Sequence, residues 1–341
     1  MIEEARACFL EVLEAEPDNN YALVGMGDLE RKGRNFDAAV RFYQECLEHF
    51  PENNYALFGL AESYRSMKQF NRAVEVWEKY LKHDSENVTV LTRVADAYRK
   101  ARILPRSREL YQQVLELEPD NNYALIGMGH LHYDFHEYKT ALVYWERMYE
   151  KAGENVDIRV LTSLGNCHRK MKTFNQGIEY FEKALEREPG NFFALYGLAD
   201  CYRGMQKPDQ SLLYWQRILE SDPGNKVILT RIGDALRALD DLVAAEDYYR
   251  RALNVQYDSY AILGLAIIHR KKKQHDEAIR ALENLLESDP ENGRAVLELS
   301  GCYEDQRRIP EALAVLQSFT QRTRNPGRMV QRRIADLKAG L

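Results

Sequence analysis

The chain has 341 residues, of which 45% are hydrophobic and 29% charged, and its 21 Tyr, 12 Phe and 3 Trp supply a packed core, which excludes disorder as the main state. A net charge of −6 argues against a nucleic-acid binder, which would carry a basic footprint, and no apolar run is long enough to span a bilayer. Five Cys with no Cys-x-x-Cys pair argue against a disulfide framework or a structural zinc site.

Residues 1–19 read as one helix, with Ala5, Phe9 and Val12 on its apolar stripe and Pro17 closing it. Asn-Asn-Tyr-Ala-Leu at 19–23 then opens a unit, 20–53, that reads as two helices. Its apolar and small residues, Leu23, Met26, Gly27, Phe36, Ala39, Tyr43, Cys46 and Leu47, fall at steps of three and four. Gly33 and Asn35 mark the turn, Pro51 ends the second helix and Asn53 is placed to cap the next one. The pattern recurs at 54–87, 88–121, 122–155, 158–191, 192–225, 226–258, 259–292 and 293–326, with two extra residues near 156 and one missing near 258. Residues 327–341 read as a last helix, with Val330, Ile334 and Leu337 inward and Arg328, Arg332 and Arg333 outward. Charge is uneven: residues 1–60 hold 12 acids and 5 bases, whereas 294–341 hold 5 acids and 9 bases.

Each unit has a small residue at its eighth position (Gly27, Ala61, Ala95, Gly129, Gly165, Ala199, Gly233, Ala266, Ser300). The twentieth is also small (Ala39, Ala73, Ser107, Ala141, Gly177, Ser211, Ala245, Ala278, Ala312). Position 24 is aromatic in seven units (Tyr43, Trp77, Tyr111, Trp145, Phe181, Trp215, Tyr249) and Leu in two (Leu282, Leu316). This pattern, over about 20–325, resembles the tetratricopeptide repeat family. The resemblance implies an all-α fold, a right-handed superhelix of nine tandem helix-turn-helix repeats. Residues 1–19 match the second helix of an incomplete repeat, so either the chain is a fragment of a longer protein, the favoured expectation, or this half-repeat is itself a cap; 327–341 is expected to cap the array's apolar end.

The units alternate. Five open with an aromatic followed four residues later by Gly: Tyr21/Gly25, Tyr55/Gly59, Tyr123/Gly127, Phe193/Gly197 and Tyr260/Gly264. Three others read Val-Leu-Thr-Arg at 90–93, Val-Leu-Thr-Ser at 160–163 and Ile-Leu-Thr-Arg at 228–231. The resemblance implies that positions 2, 5, 6, 9 and 12 of each first helix line a concave groove. Those positions hold Tyr21, Tyr55, Tyr123, Phe193 and Tyr260; Phe58 and Tyr196; Arg93 and Arg231; Asp96, Asp200 and Asp234; and Arg65, Arg99 and Arg203. A helical side chain leans toward the N-terminus, so Gly at i+4 is expected to leave the ring at i uncovered as a slot for an apolar anchor. In that case Gly127→Leu would fill a slot and leave or raise helix stability. The competing reading has each ring filling a gap against the neighbouring repeat, with Gly making room. Position 9 acids and position 12 Arg, three residues apart, can pair along one face.

No catalytic, phosphate-loop or zinc-protease motif appears, so no enzyme activity and no cofactor is expected. His130, His132 and His136 are not spaced for one helical face, and His132, His168 and His269 fall at the packing position 11. The Cys read as reduced core thiols, with Cys167, Cys201 and Cys302 at position 10 and Cys46 at position 27. The expected function is a non-catalytic scaffold that binds a peptide or protein partner along its groove, without nucleic acid or membrane insertion. Two alternatives stay open: a self-associating homo-oligomer or array, and the substrate-recruiting arm of an enzyme whose catalytic part lies elsewhere. Free thiols and the lack of a signal peptide point to the cytoplasm.

Overall fold

The computed structural model describes residues 2–339, and those residues are all-helical, with 20 α-helices and no strand. The chain divides into two compact units, Met1–Cys167 and His168–Leu341. The first holds α1 (Ile2–Ala15), α2 (Asn20–Lys32), α3 (Phe36–His49), α4 (Asn54–Ser66), α5 (Phe70–Leu81), α6 (Val88–Lys100), α7 (Leu104–Leu117), α8 (Asn122–Asp134), α9 (Tyr138–Ala152) and most of α10 (Ile158–Lys170). The second holds α11 (Phe174–Arg187), α12 (Phe192–Gly204), α13 (Pro208–Ser221), α14 (Lys226–Ala238), α15 (Leu242–Val255), α16 (Ser259–Lys271), α17 (His275–Ser288), α18 (Gly293–Asp305), α19 (Ile309–Arg322) and α20 (Gly327–Ala339). Within each unit a helix packs on its sequence neighbours, and the first helices of successive hairpins also touch, as α2 on α4, α6 on α8 and α14 on α16.

The helix starts follow from capping. Asn19, Asn53, Asn87, Asn121, Asn191, Asn225 and Asn292 each accept the backbone N–H three residues on, at 3.0–3.2 Å. Asp258 replaces Asn before α16 and accepts from Tyr260 and Ala261. Each such cap is worth about 1 kcal/mol. The hairpin turns share one device. Arg34, Lys68, Arg102, His136, Lys172, Gln206, Asp240, Lys273 and Arg307 all sit in the left-handed region, with φ between 59° and 65°. In the first turn this residue is Arg34, not Gly33, whose φ is −73°. The N–H of the next residue then closes the helix, as Asn35 to the Glu30 carbonyl and Gln69 to the Tyr64 carbonyl, both at 2.9 Å.

The core is built around the position 24 ring, which stands between the first helix of its own hairpin and that of the next. A Cβ on Gly27 would lie 2.5 Å from the Tyr43 ring, and one on Gly59 2.2 Å from it. Tyr249 is clasped in the same way by Gly233 and Gly264. Gly127 and Gly197 make room for Tyr111 and Phe181, and Gly25 for Phe9 of α1. Position 6 glycines therefore face the ring of the preceding hairpin, and they are explained by folding. The expectation that they serve to uncover the ring four residues before them is corrected, and so is the expectation for Gly127→Leu. The rings at position 2 do not fill an inter-repeat gap either, because they are exposed. The alternation has a packing cause: Gly59, Gly127, Gly197 and Gly264 follow Tyr or Phe at position 24, whereas Arg93, Ser163 and Arg231 follow Trp77, Trp145 and Trp215. The phenol tip, Cζ and Oη, is what meets Gly59 and Gly127.

At the C-terminal end Val330 is buried against Val296, Leu316 and Phe319, with Ile334 and Leu337 packed beside it. Arg328 and Arg332 face outward as expected, but Arg333 is half-buried and pairs with Glu304 at 2.7 Å. Gly340 and Leu341 of this expected cap, and Met1, lie outside the described residues. Cys46, Cys167, Cys201 and Cys302 are buried. Burial pushes the Cys167 and Cys201 thiols up to about 12 and Cys302 to about 11. Cys8 is exposed on α1, which corrects its assignment to the core.

Two outcomes follow from this packing. Gly127→Ala forces the Tyr111 ring to move and should destabilise the protein by about 1–3 kcal/mol in urea unfolding. Adding Tyr111→Leu should return part of that loss, and strict additivity of the two changes would refute the clash. Under native conditions a thiol reagent should modify one Cys, Cys8, rapidly and the other four only on unfolding; a second fast thiol would contradict the burial.

Candidate peptide-binding clefts

The first helices carry a row of aromatic side chains that the core does not use. Tyr21, Tyr55, Tyr123, Phe193 and Tyr260 each sit in the first turn behind an Asn or Asp cap, and their relative exposure runs from 64% to 82%. The cap sets the first turn, and position 2 then points away from the stripe formed by positions 3, 4 and 8, which is buried. Phe58 and Tyr196 at position 5 lie deeper. Phe58 packs edge-on against Trp77 at 5.1 Å and under the Arg93 guanidinium at 5.5 Å, and Tyr196 packs on Trp215 at 4.9 Å. These two rings are half packing and half surface.

The polar residues on the same face are paired. Arg31 donates to Asp28 at 2.9 Å, Arg65 to Glu62 at 2.6 Å and Arg99 to Asp96 at 2.8 Å, so the spacing of three does form ion pairs. Arg93 also donates to Glu62, at 3.0 Å, and Arg99 to Asp134 at 3.1 Å. In the second unit Asp200 accepts from both Arg203 and Arg169. Burial raises the Asp200 carboxyl, but these two cations outweigh it and hold it below its usual range. Position 24 tyrosines join this network from beneath. Tyr43 Oη donates to Asp28 at 2.7 Å and accepts from Arg31 Nε at 3.3 Å, and Tyr249 Oη donates to Asp234 at 2.8 Å and accepts from Arg237 at 3.2 Å. Burial above all drives both phenols well above their usual range.

In the first unit, α6 and α8 enclose a cleft of about 540 Å³. It is lined by Arg65, Arg93, Asp96 and Arg99, which were expected there, with Tyr123 at its edge. Thr89, Thr92, Ile126 and His130 line it too, at the expected positions 2, 5 and 9, and Val88 at position 1 joins them from outside that set. In the second unit, α14 and α16 form the corresponding cleft, about 300 Å³, lined by Lys226, Val227, Thr230, Arg231, Tyr257, Asp258 and Tyr260. In both clefts the Leu-Thr-Arg motif at 91–93 and 229–231 supplies the Thr at position 5 and the Arg at position 6. Tyr21, Tyr55 and Phe193 line neither cleft, and lie in the same first-turn position of other helices.

His132 is buried, hydrogen-bonds Glu137 through Nδ1 at 2.5 Å and stacks on Tyr144, and His168 stacks on Tyr180; both pack the hairpin. His130, beside the first cleft, packs edge-on to Trp145 at 5.4 Å. Burial and the Arg99 charge push it down to about 4, against the pull of Asp134 and Asp96. Among the described residues no group of three His, Cys, Asp or Glu could hold a metal ion, and no helix is long and apolar enough to cross a membrane. Because the native His130 binds its proton more weakly than the unfolded chain does, its contribution to stability is complete above about pH 6.5. It is lost progressively as pH falls toward 4. A proton NMR titration should find His130 still neutral at pH 5.5, and a midpoint near 6.5 would show the ring to be solvated.

The comparisons with known proteins agree with this geometry. A sequence profile described as tetratricopeptide repeat matches residues 2–54, 24–87, 58–122 and 202–261, more than half the chain, and a second of that description matches 269–339. A profile described as anaphase-promoting complex, cyclosome, subunit 3 matches 134–217. No curated protein matches the chain in sequence. Among solved structures, a tetratricopeptide repeat protein from Parabacteroides merdae is similar, with 14% identity and a TM-score of 0.55 over 68% of this chain and 91% of that one. PilW, a widely conserved type IV pilus biogenesis factor, is similar with 18% identity and a TM-score of 0.56 over 61% of this chain and 96% of its own. The pilF protein of Pseudomonas aeruginosa has 16% identity and a TM-score of 0.54 over 65% of this chain and 98% of its own. At these identities the likeness concerns the fold alone. From the helical hairpins, their small-residue contacts and the profiles that span most of its length, the chain belongs to the tetratricopeptide repeat family.

Proposed function

We propose that this protein is a non-catalytic scaffold that holds extended segments of a partner protein on the exposed faces of the first helices within each unit. The observation that carries the reading is the set of five rings at position 2. Large aromatics left 64–82% exposed gain little from folding, and here they recur at one position of the first helix. The core has its own aromatics at position 24, so packing does not call for a second set. Rings of this kind supply rigid apolar contact area at low entropic cost, and they commonly dominate the affinity of an interface. The ion pairs beside them are already satisfied within the fold, which suits them to register and partner choice more than to affinity. We place this activity in the cytoplasm, where the buried thiols would stay reduced.

Tyr55, Tyr123 and Phe193, each replaced by Ala in one chain, test the reading. Partner capture by the full chain should fall by a factor of ten or more for each anchor ring lost, on the order of 2 kcal/mol each. Helical circular dichroism and the unfolding midpoint should stay close to those of the parent, because the rings are outside the core. Unchanged capture would remove the position 2 rings as the binding surface, and unfolding of the triple variant would make the rings structural.

A further inference from the structure

The two clefts are built from the same motif, yet their charges are settled differently. In the first unit Arg93, at position 6 of α6, reaches Glu62 on α4 at 3.0 Å, and Glu62 is also held by Arg65. In the second unit the corresponding cation is Arg231 on α14, and the residue corresponding to Glu62 is Asp200 on α12. Asp200 is one methylene shorter and is already taken by Arg203 and Arg169. The one carboxylate within 4 Å of Arg231, among the described residues, is Asp234 at 3.8 Å, beyond hydrogen-bond distance. A second cation lines the same cleft. Lys226 Nζ donates to two neutral acceptors, Gln256 Oε1 at 3.3 Å and the Tyr257 carbonyl at 3.1 Å, and has no carboxylate within ion-pair distance among the described residues. The acid in this cleft, Asp258, is committed to capping α16 and accepts from Thr230 as well. The cleft therefore presents, beside the exposed ring of Tyr260, Lys226 with no carboxylate within ion-pair distance among the described residues and Arg231 with one loose ion pair at 3.8 Å.

From this we infer that the α14–α16 cleft is an anion-selective subsite for an Asp or Glu side chain within an extended peptide. That carboxylate would take the role at Arg231 that Glu62 fills at Arg93, with Lys226 as its second donor. An apolar side chain next to it in the peptide would lie on Tyr260. The inference rests on the reading that the first-helix face binds a peptide, and it adds which chemistry the second unit prefers. Hydrogen bonds to a charged partner are the stronger kind, and a carboxylate between two cations gains more than an amide of the same shape.

The test uses the full chain and fluorescein-labelled ten-residue peptides of Gly and Ser with a central Glu-Leu, Gln-Leu or Lys-Leu pair, read by fluorescence polarisation. The Glu-Leu peptide should bind at least tenfold tighter than Gln-Leu, and the preference should weaken as salt rises. Arg231→Gln and Lys226→Gln should each remove most of the preference with helicity retained, and Arg250→Gln, on α15 outside both clefts, should leave it in place. Asp200→Glu, which lengthens the internal carboxylate toward Arg231, should weaken Glu-Leu binding as well. Equal binding of Glu-Leu and Gln-Leu, lost in Tyr260→Ala, would overturn the anion preference and leave the peptide-binding reading standing. Binding of none of the peptides, or equal loss from Arg250→Gln and Arg231→Gln, would overturn the subsite itself.

Discussion

The contact on which the rest depends is the position 24 ring wedged between two successive first helices. A ring such as Tyr43 touches its own hairpin at Gly27 and the next at Gly59, with distances that leave no room for a methyl group. Each ring thus ties one hairpin to the following one, and the ties run only between neighbours. This is the packing logic of a repeat array, in which each unit buries its apolar face against the next. Shape at this point is fixed to within a methyl group because protein interiors are as dense as organic crystals.

The wedge reaches beyond the core into the chemistry of the surface. A Tyr at position 24 is long enough to bring its hydroxyl to the acid and Arg of the first-helix face, as Tyr43 does at Asp28 and Arg31 and Tyr249 at Asp234 and Arg237. The same length demands glycine at position 6 of the next hairpin. Where Trp stands instead, position 6 holds Arg or Ser, and a cation can face the cleft. The identity of a buried ring in one hairpin therefore goes with the polar character of the exposed face in the next. Alternation along the array places a guanidinium at position 6 after Trp77 and Trp215, as Arg93 and Arg231, and a glycine under the ring after Tyr or Phe. It also explains why glycine is tolerated inside so many first helices, where it costs roughly 1 kcal/mol relative to Ala: the ring it admits buries far more apolar area than a methyl would.

The polar residues between the rings are close to neutralised within the fold. Glu62 bridges Arg65 and Arg93, and Asp200 bridges Arg169 and Arg203. Glu62 thus reaches the cation at position 6 of the following hairpin, whereas Asp200, one methylene shorter, takes Arg169 of the preceding one. Glu62 is buried and Asp200 nearly so, and pairing there mainly offsets the cost of taking these carboxylates out of water. Their effect is on the local charge that a ligand would meet.

Local physics made much of this legible in the sequence. The 34-residue period, the Asn caps, the Pro stops and the small residues at positions 8 and 20 each act within one or two turns of chain, so the helices, their order and the family could be read directly. The exposed first-turn rings and the pairing of position 9 with position 12 were readable for the same reason, since both partners lie on one helix. What needed tertiary structure was any contact made between helices. The glycines at position 6 invited an explanation from the ring four residues earlier, but their partner is a ring 16 residues earlier, on another helix, as Tyr43 is to Gly59. The exposure of Cys8, the pairing of Arg333 with Glu304 and the clefts between α6 and α8 and between α14 and α16 are likewise set by which helix lies opposite. So is the difference between Arg93 and Arg231. Sequence spacing determines which side chains share a helix face, whereas the distance from that face to the next helix is set by the size of the ring packed beneath it.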